Sequence, residues 1–205
     1  MTAIQSHAGL APGFGDTVHD AQEVFRAVLR AMSRPGEVQE IAIALVPPAP
    51  LMPAAAAVCL SLLDFETPLW IDGGQDAAAA AAFVAFHTGA PTAADVDQAD
   101  FAVIADGARV PALDVFRQGT DEAPERSATL IIQVSGLAAA APGDGGWRLT
   151  GPGIDGTAGL RVTGLRAGMA DELAANFQRF PRGVDVILCA GKRLAALPRT
   201  TRVEG

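Results

Sequence analysis

Apolar residues recur at helical spacing along the first well-patterned stretch of the chain, "DTVHDAQEVFRAVLRAMSRPG". Val18, Ala21, Phe25, Val28, Leu29 and Met32 share one face of a 3.6-residue period, which predicts an amphipathic helix with that face toward a core. Thr17 and Asp20 form a capping-box pair at its start, and Pro35-Gly36 stops it. The period then changes to two. "EVQEIAIAL" alternates as a half-buried strand does. Beyond a proline-rich bend from Pro47 to Pro53, an Ala/Leu helix runs to Leu63-Asp64, and "TPLWID" reads as a short strand. "QDAAAAAAFVAFHTG" reads as a helix with Gly89 where a C-terminal stop belongs.

The second half alternates in the same way. "FAVIA" is a buried strand, a short helix follows near 111–117, and "SATLIIQV" is the best strand in the chain. Residues 147–165 read as two strands joined by a glycine turn, "MADELAANFQRF" as an amphipathic helix, "VDVILCA" as a buried strand and "LPRTTRV" as a last edge strand. Interleaved helices and continuously apolar strands predict an α/β fold, three-layer α/β/α, with a sheet covered on both faces. The hairpin-like pair at 147–165 makes that sheet mixed. Residues 1–12 are expected to be a flexible N-terminal segment and 13–205 a single α/β domain.

Composition narrows the classes. Apolar residues make up 50% and charged residues 19% of the 205, which fits a globular chain with a real core. No apolar run reaches the roughly 18 residues that span a bilayer, and the N-terminus lacks the basic and apolar regions of an export signal, so no membrane contact and a cytoplasmic location are expected. Cys59 and Cys189 lie in apolar runs and are expected to be buried reduced thiols. The net charge of −8 argues against a nucleic-acid surface. It is unevenly spread: residues 1–106 hold 3 basic and 13 acidic side chains, residues 107–205 hold 12 and 10. Such asymmetry is either an ordinary solvated surface or a site for an anionic ligand or an oppositely charged subunit.

Familiar catalytic signatures fail on inspection. "LTGPGIDG" places Gly151, Gly153 and Gly156 in the dinucleotide-binding pattern G-x-G-x-x-G. That pattern needs a helix behind it, yet "TAGLRVTGL" has no helical face, and each interior glycine would weaken a helix by about 1 kcal/mol. Pro152 also lacks an N–H for a phosphate. A glycine-rich turn between strands is expected. His7, His19 and His87 are too far apart in sequence to pair as metal ligands, so no metal is expected. Lys192 is the only lysine, in "AGKRL" beside Arg193, where an exposed turn would leave its ammonium solvated. Schiff-base chemistry would have to use it, so no cofactor is expected in this chain.

The stretches "GFGDTVHDAQEVFRAVLRAMSRPG", "LLDFETPLW", "FHTGAP", "GTDEAPERSATLIIQV", "LTGPGI", "FPRGVDVIL" and "LPRTT", in this order, resemble the H subunit of the bacterial carbon–phosphorus lyase system. The resemblance runs from about Gly13 to Val203. It implies a fold similar to pyridoxal phosphate-dependent transferases but without that cofactor, and a place in a core complex with the G, I and J subunits. That system displaces adenine from ATP with an alkylphosphonate, giving a ribose 1-phosphonate 5-triphosphate, before a radical step on the J subunit cleaves the C–P bond. The I subunit is implied to carry the displacement, leaving this chain to act by assembly, with a homodimer when isolated. A free-standing transferase or hydrolase and a regulatory or small-ligand-binding module are the competing classes.

Five residues within these stretches are candidates for binding or interface roles. Arg199, beside Thr200 in "LPRTT", offers a guanidinium for bidentate bonds to a partner carboxylate, a phosphate or the chain's own tail. His87 ends a helix, where a cation complements the dipole or contacts substrate. Arg34 either bonds carbonyls of its own helix end or binds phosphate. Asp64 is expected as a cap or turn residue. No catalytic residue is assigned.

Overall fold

The computed structural model describes residues 10–72, 77–141 and 144–205; His7, most of the N-terminal segment and the start of the helix expected from Gln75 lie outside them. Helix α1 spans Thr17–Ser33. Its cap is Asp16, one residue before the expected pair: the Asp16 carboxylate accepts from the N–H groups of Val18 and His19 at 3.1 and 3.0 Å. Asp20 returns the bond, accepting the Asp16 N–H at 3.1 Å. The helix buries Val24, Val28 and Ala31, while Val18, Phe25 and Leu29 remain exposed. The expected inward face is therefore only partly right. The apolar arc of α1 is wider than the core it meets, and the core takes one side of it.

Two sheets organise the rest. The first has the order β1-β9-β8-β4-β3-β2. Strands β2 (Leu69–Ile71), β3 (Phe101–Ile104), β4 (Thr129–Gln133) and β8 (Asp185–Ala190) run parallel. Strands β9 (Arg193–Leu197) and β1 (Gln39–Glu40) are antiparallel to their neighbours. The sheet is mixed for that reason and not because of the 147–165 hairpin. That pair, β6 (Trp147–Thr150) and β7 (Ala158–Thr163), belongs to a second, antiparallel sheet of order β10-β6-β7-β5, with β5 at Gly136–Ala140 and β10 at Arg202–Glu204.

Side-chain alternation on the parallel strands feeds two separate cores. Val103, Ile131 and Ile187 stand in register and pack with α1, α2 (Pro53–Leu62) and α3 (Ala77–Thr88). Their neighbours Ala102, Leu130 and Val186 point the other way, toward α4 (Met169–Gln178) and Leu137, Leu149, Leu160 and Val203 of the second sheet. Both faces being covered explains why "TLIIQ" is apolar almost throughout.

Three departures from the expected elements share a cause. Ile41, Ile43 and Leu45 are buried in alternation, as the period-two pattern requires, but only Gln39–Glu40 pairs as a strand. "LPRTTRV" divides at a turn closed by Thr201 N–H to Pro198 O at 2.8 Å, so its two ends join different sheets. The short helix near 111–117 is a single 3-10 turn at Leu113–Val115. Periodicity reports burial; pairing depends on partners that local sequence does not name.

Candidate functional site

The glycine-rich stretch resolves first. Residues 151–157 link β6 to β7, and no helix follows, so the backbone N–H array of a dinucleotide loop has nothing to stand on. The turn instead fills a corner. Gly153 has φ +80°, and a Cβ there would lie 2.0 Å from the Ser33 carbonyl oxygen at the end of α1. Gly151, at φ +136°, passes close to the chain's tail, where a Cβ would lie 2.6 Å from the Thr200 carbonyl oxygen. "SRPG", "LTGPGI" and "LPRTT", far apart in sequence, therefore meet backbone to backbone. Thr200 contributes its carbonyl to this corner.

One residue farther back, Arg199 makes a second junction. Its Nη2 donates to Asp185 Oδ2 at 2.6 Å, and its backbone N–H to Asp185 Oδ1 at 2.8 Å. Nη1 donates to the Pro124 carbonyl at 2.7 Å, and Nη2 reaches Ser127 Oγ as well. The Arg199 and Asp185 side chains are 13% and 18% exposed. The guanidinium thus ties the tail to the start of β8 and to the loop before β4, and the carboxylate it holds belongs to its own chain.

Ser127 also lines a cleft of about 460 Å³ at the amino ends of β3 and β4, with Thr67, Asp100, Arg117, Arg126 and Thr129. Arg117 is paired with Asp100. Asp64 shapes the same wall: its N–H donates to Thr67 Oγ1 at 2.8 Å, and its Oδ1 accepts the Glu66 N–H at 2.9 Å, the turn role expected of it. Asp64 and Arg199 do not line the cleft themselves but each bonds a residue that does, Thr67 and Ser127, while His87 and Arg34 lie elsewhere. The described lining offers guanidinium and hydroxyl donors with two carboxylates, a set suited to holding a polar group rather than to nucleophilic attack. Arg117, Asp100 and Arg126 were not singled out in sequence. Only their shared cleft marks them.

The profile of the family described as "Bacterial phosphonate metabolism protein (PhnH)" matches residues 12–204. The PhnH subunit of alpha-D-ribose 1-methylphosphonate 5-triphosphate synthase from Rhizobium meliloti (strain 1021) is 40% identical over 191 residues, covering 93% of this chain and 94% of the relative. The chain belongs to the PhnH family. HtxG of Stutzerimonas stutzeri, a protein provisionally named as a C-P lyase subunit, is 41% identical over 113 residues, 54% of each chain.

In this PhnH-family chain the remaining candidates serve local packing. His87 sits in the last turn of α3, where its Nε2 lies 3.1 Å from the Ala11 carbonyl and its ring packs on Phe83 at 4.7 Å. A Cβ on Gly13 would lie 2.9 Å from its Nδ1, so the ring pins the incoming N-terminal segment. Arg34 caps α1 through its backbone, and its side chain bonds Glu37 Oε1 at 3.4 Å rather than the helix carbonyls. Lys192 is exposed on the turn between β8 and β9, as expected. Cys59 and Cys189 are buried free thiols. Burial pushes Cys59 up to about 12, which keeps it protonated.

The carboxyl end of β4, at the edge where open α/β sheets usually take ligands, is occupied by protein. Gln133 at the end of β4 is buried; its Oε1 accepts the Met52 N–H at 2.5 Å, and its Nε2 donates to the carbonyls of Pro50 and Ala105 at 2.9 and 3.2 Å. Beside it, half-buried Asp72 accepts the Ala105 N–H at 2.5 Å. Burial raises the Asp72 carboxyl above its ordinary value, against the lowering by that bond.

Proposed function

We propose that this chain is a subunit of the carbon–phosphorus lyase core complex that supports ATP-dependent formation of ribose 1-alkylphosphonate 5-triphosphate without carrying the chemistry itself. The observation that carries the reading is the 40% identity, across nearly the full length of both proteins, with a relative named as a subunit of the methylphosphonate triphosphate synthase. The geometry supports an assembly role. Arg199, Asp64 and His87 are each engaged by bonds within the chain, as parts of a scaffold would be. The proposed partners are the G, I and J subunits in the cytoplasm, with a homodimer in their absence and no cofactor in this chain. The cores on both faces of the main sheet support a single domain from 13 to 205, and a three-layer order similar to pyridoxal phosphate-dependent transferases is proposed with it from the family resemblance.

The test is release of adenine from ATP and methylphosphonate. The purified chain alone releases none, and leaving it out of a mixture containing its partner subunits drops the rate to background. Adenine release by the chain alone, or an undiminished rate without it, sinks the reading. No helix among the described residues is long and apolar enough to cross a membrane.

A further inference from the structure

Arg26, Arg30 and Arg34 are the only arginines or lysines in the first 106 residues, against 13 acidic side chains. They stand four residues apart along α1 and its C-cap, and so edge one side of the helix. Beside this row runs the part of the apolar arc that the core does not cover. Val18, Phe25 and Leu29 are 60%, 51% and 56% exposed. Ser61 of α2 donates to the Ala21 carbonyl at 3.0 Å and fixes the two helices side by side. Between them lies an open groove of about 510 Å³ lined by Ala21, Gln22, Phe25, Arg26, Leu29 and Ser61. It shares Arg26 and Leu29 with a second depression of about 300 Å³ edged by Arg30 and Arg34. Glu37 steadies Arg30 and Arg34 at 3.0 and 3.4 Å, whereas Arg26 makes no ion pair among the described residues.

We propose that this groove seats an amphipathic helix of another protein chain, with apolar residues at helical spacing and carboxylates along one flank. This rests on the reading of the chain as a complex subunit and names the surface by which it docks. The floor supplies apolar area that water leaves on contact. The arginine row supplies directed donors for carboxylates, the recognition that a helix lying in a groove uses to fix its orientation. A second copy fits less well. Its own α1 would bring a second row of arginines, not a flank of carboxylates, to the groove. An anionic membrane is disfavoured by the net charge of −8.

The experiment co-expresses the chain with the G, I and J subunits of its own system. It compares wild type with Phe25→Ser/Leu29→Ser and with Arg26→Glu, all at exposed positions, with circular dichroism confirming the fold. Each variant is expected to lower the co-purified fraction at least about tenfold. A photo-crosslinking residue at Gln22 should capture a carboxylate-edged helix of another subunit. Full retention by both variants overturns the inference and leaves the subunit reading standing. A crosslink to a second copy overturns it also, as does wild-type flotation with phosphatidylglycerol vesicles that the variants lose. If wild type itself does not co-purify, the subunit reading falls and takes the inference with it.

Discussion

Arg199→Ala is expected to destabilise the protein by about 3 kcal/mol, the low end for removing one partner of a buried ion pair, because this pair keeps some contact with water. The Asp185 carboxylate, 18% exposed, would keep its charge and lose its counter-ion, and the carbonyl of Pro124 would lose a donor. Arg199→Lys keeps the charge but replaces a planar fork by one compact ammonium, which cannot reach Asp185, Pro124 and Ser127 together. A loss of about 2 kcal/mol is expected from it. Arg193→Ala, on the exposed end of β9, should stay within about 0.5 kcal/mol of wild type. Urea unfolding at neutral pH reads all three. Equal midpoints for the Arg199 and Arg193 variants would show that the Arg199 junction holds nothing.

Gly153→Ala carries an expected loss of about 3 kcal/mol or more, compounded of left-handed backbone strain and overlap. Its Cβ would sit 2.0 Å from the Ser33 carbonyl oxygen, so either the end of α1 or the turn must move. Gly156→Ala is the matched control. Gly156 has φ +69°, but a Cβ there meets nothing within 4 Å, so only the backbone term of about 1–2 kcal/mol remains. Thermal unfolding of the two variants separates crowding from strain. Should Gly156→Ala prove as damaging as Gly153→Ala, the close approach of the turn to α1 is not what the glycine serves.

The parallel strands were legible because burial on both faces writes a continuous apolar run. "FAVIA", "TLIIQ" and "DVILCA" had no competing interpretation. Strand β5, "GLAAA", was not, since glycine and alanine have little strand preference and it is held by pairing with β7. The division of the strands into two sheets was hidden for a related reason. β10 joins β6 across more than fifty residues, and nothing local to "RVE" names that partner. Of the site, Arg199 was visible as a guanidinium in a distinctive motif, but its partner Asp185 looked like the start of an apolar strand. The cleft was invisible because Thr67, Asp100, Arg117 and Ser127 come from three separate connections. The α1 groove could not be read from the sequence, because helical periodicity gives the width of an apolar arc, not how much of it the core consumes.

This chain is proposed to work as one part of a larger phosphonate-processing assembly. The most direct test is co-expression with the G, I and J subunits, one of them tagged, followed by light scattering on the purified material. The account predicts that the chain elutes in a single species with its partners, in fixed stoichiometry. Elution of the chain by itself, as one or two copies of its 21.0 kDa mass, while the other subunits assemble without it, would contradict the account.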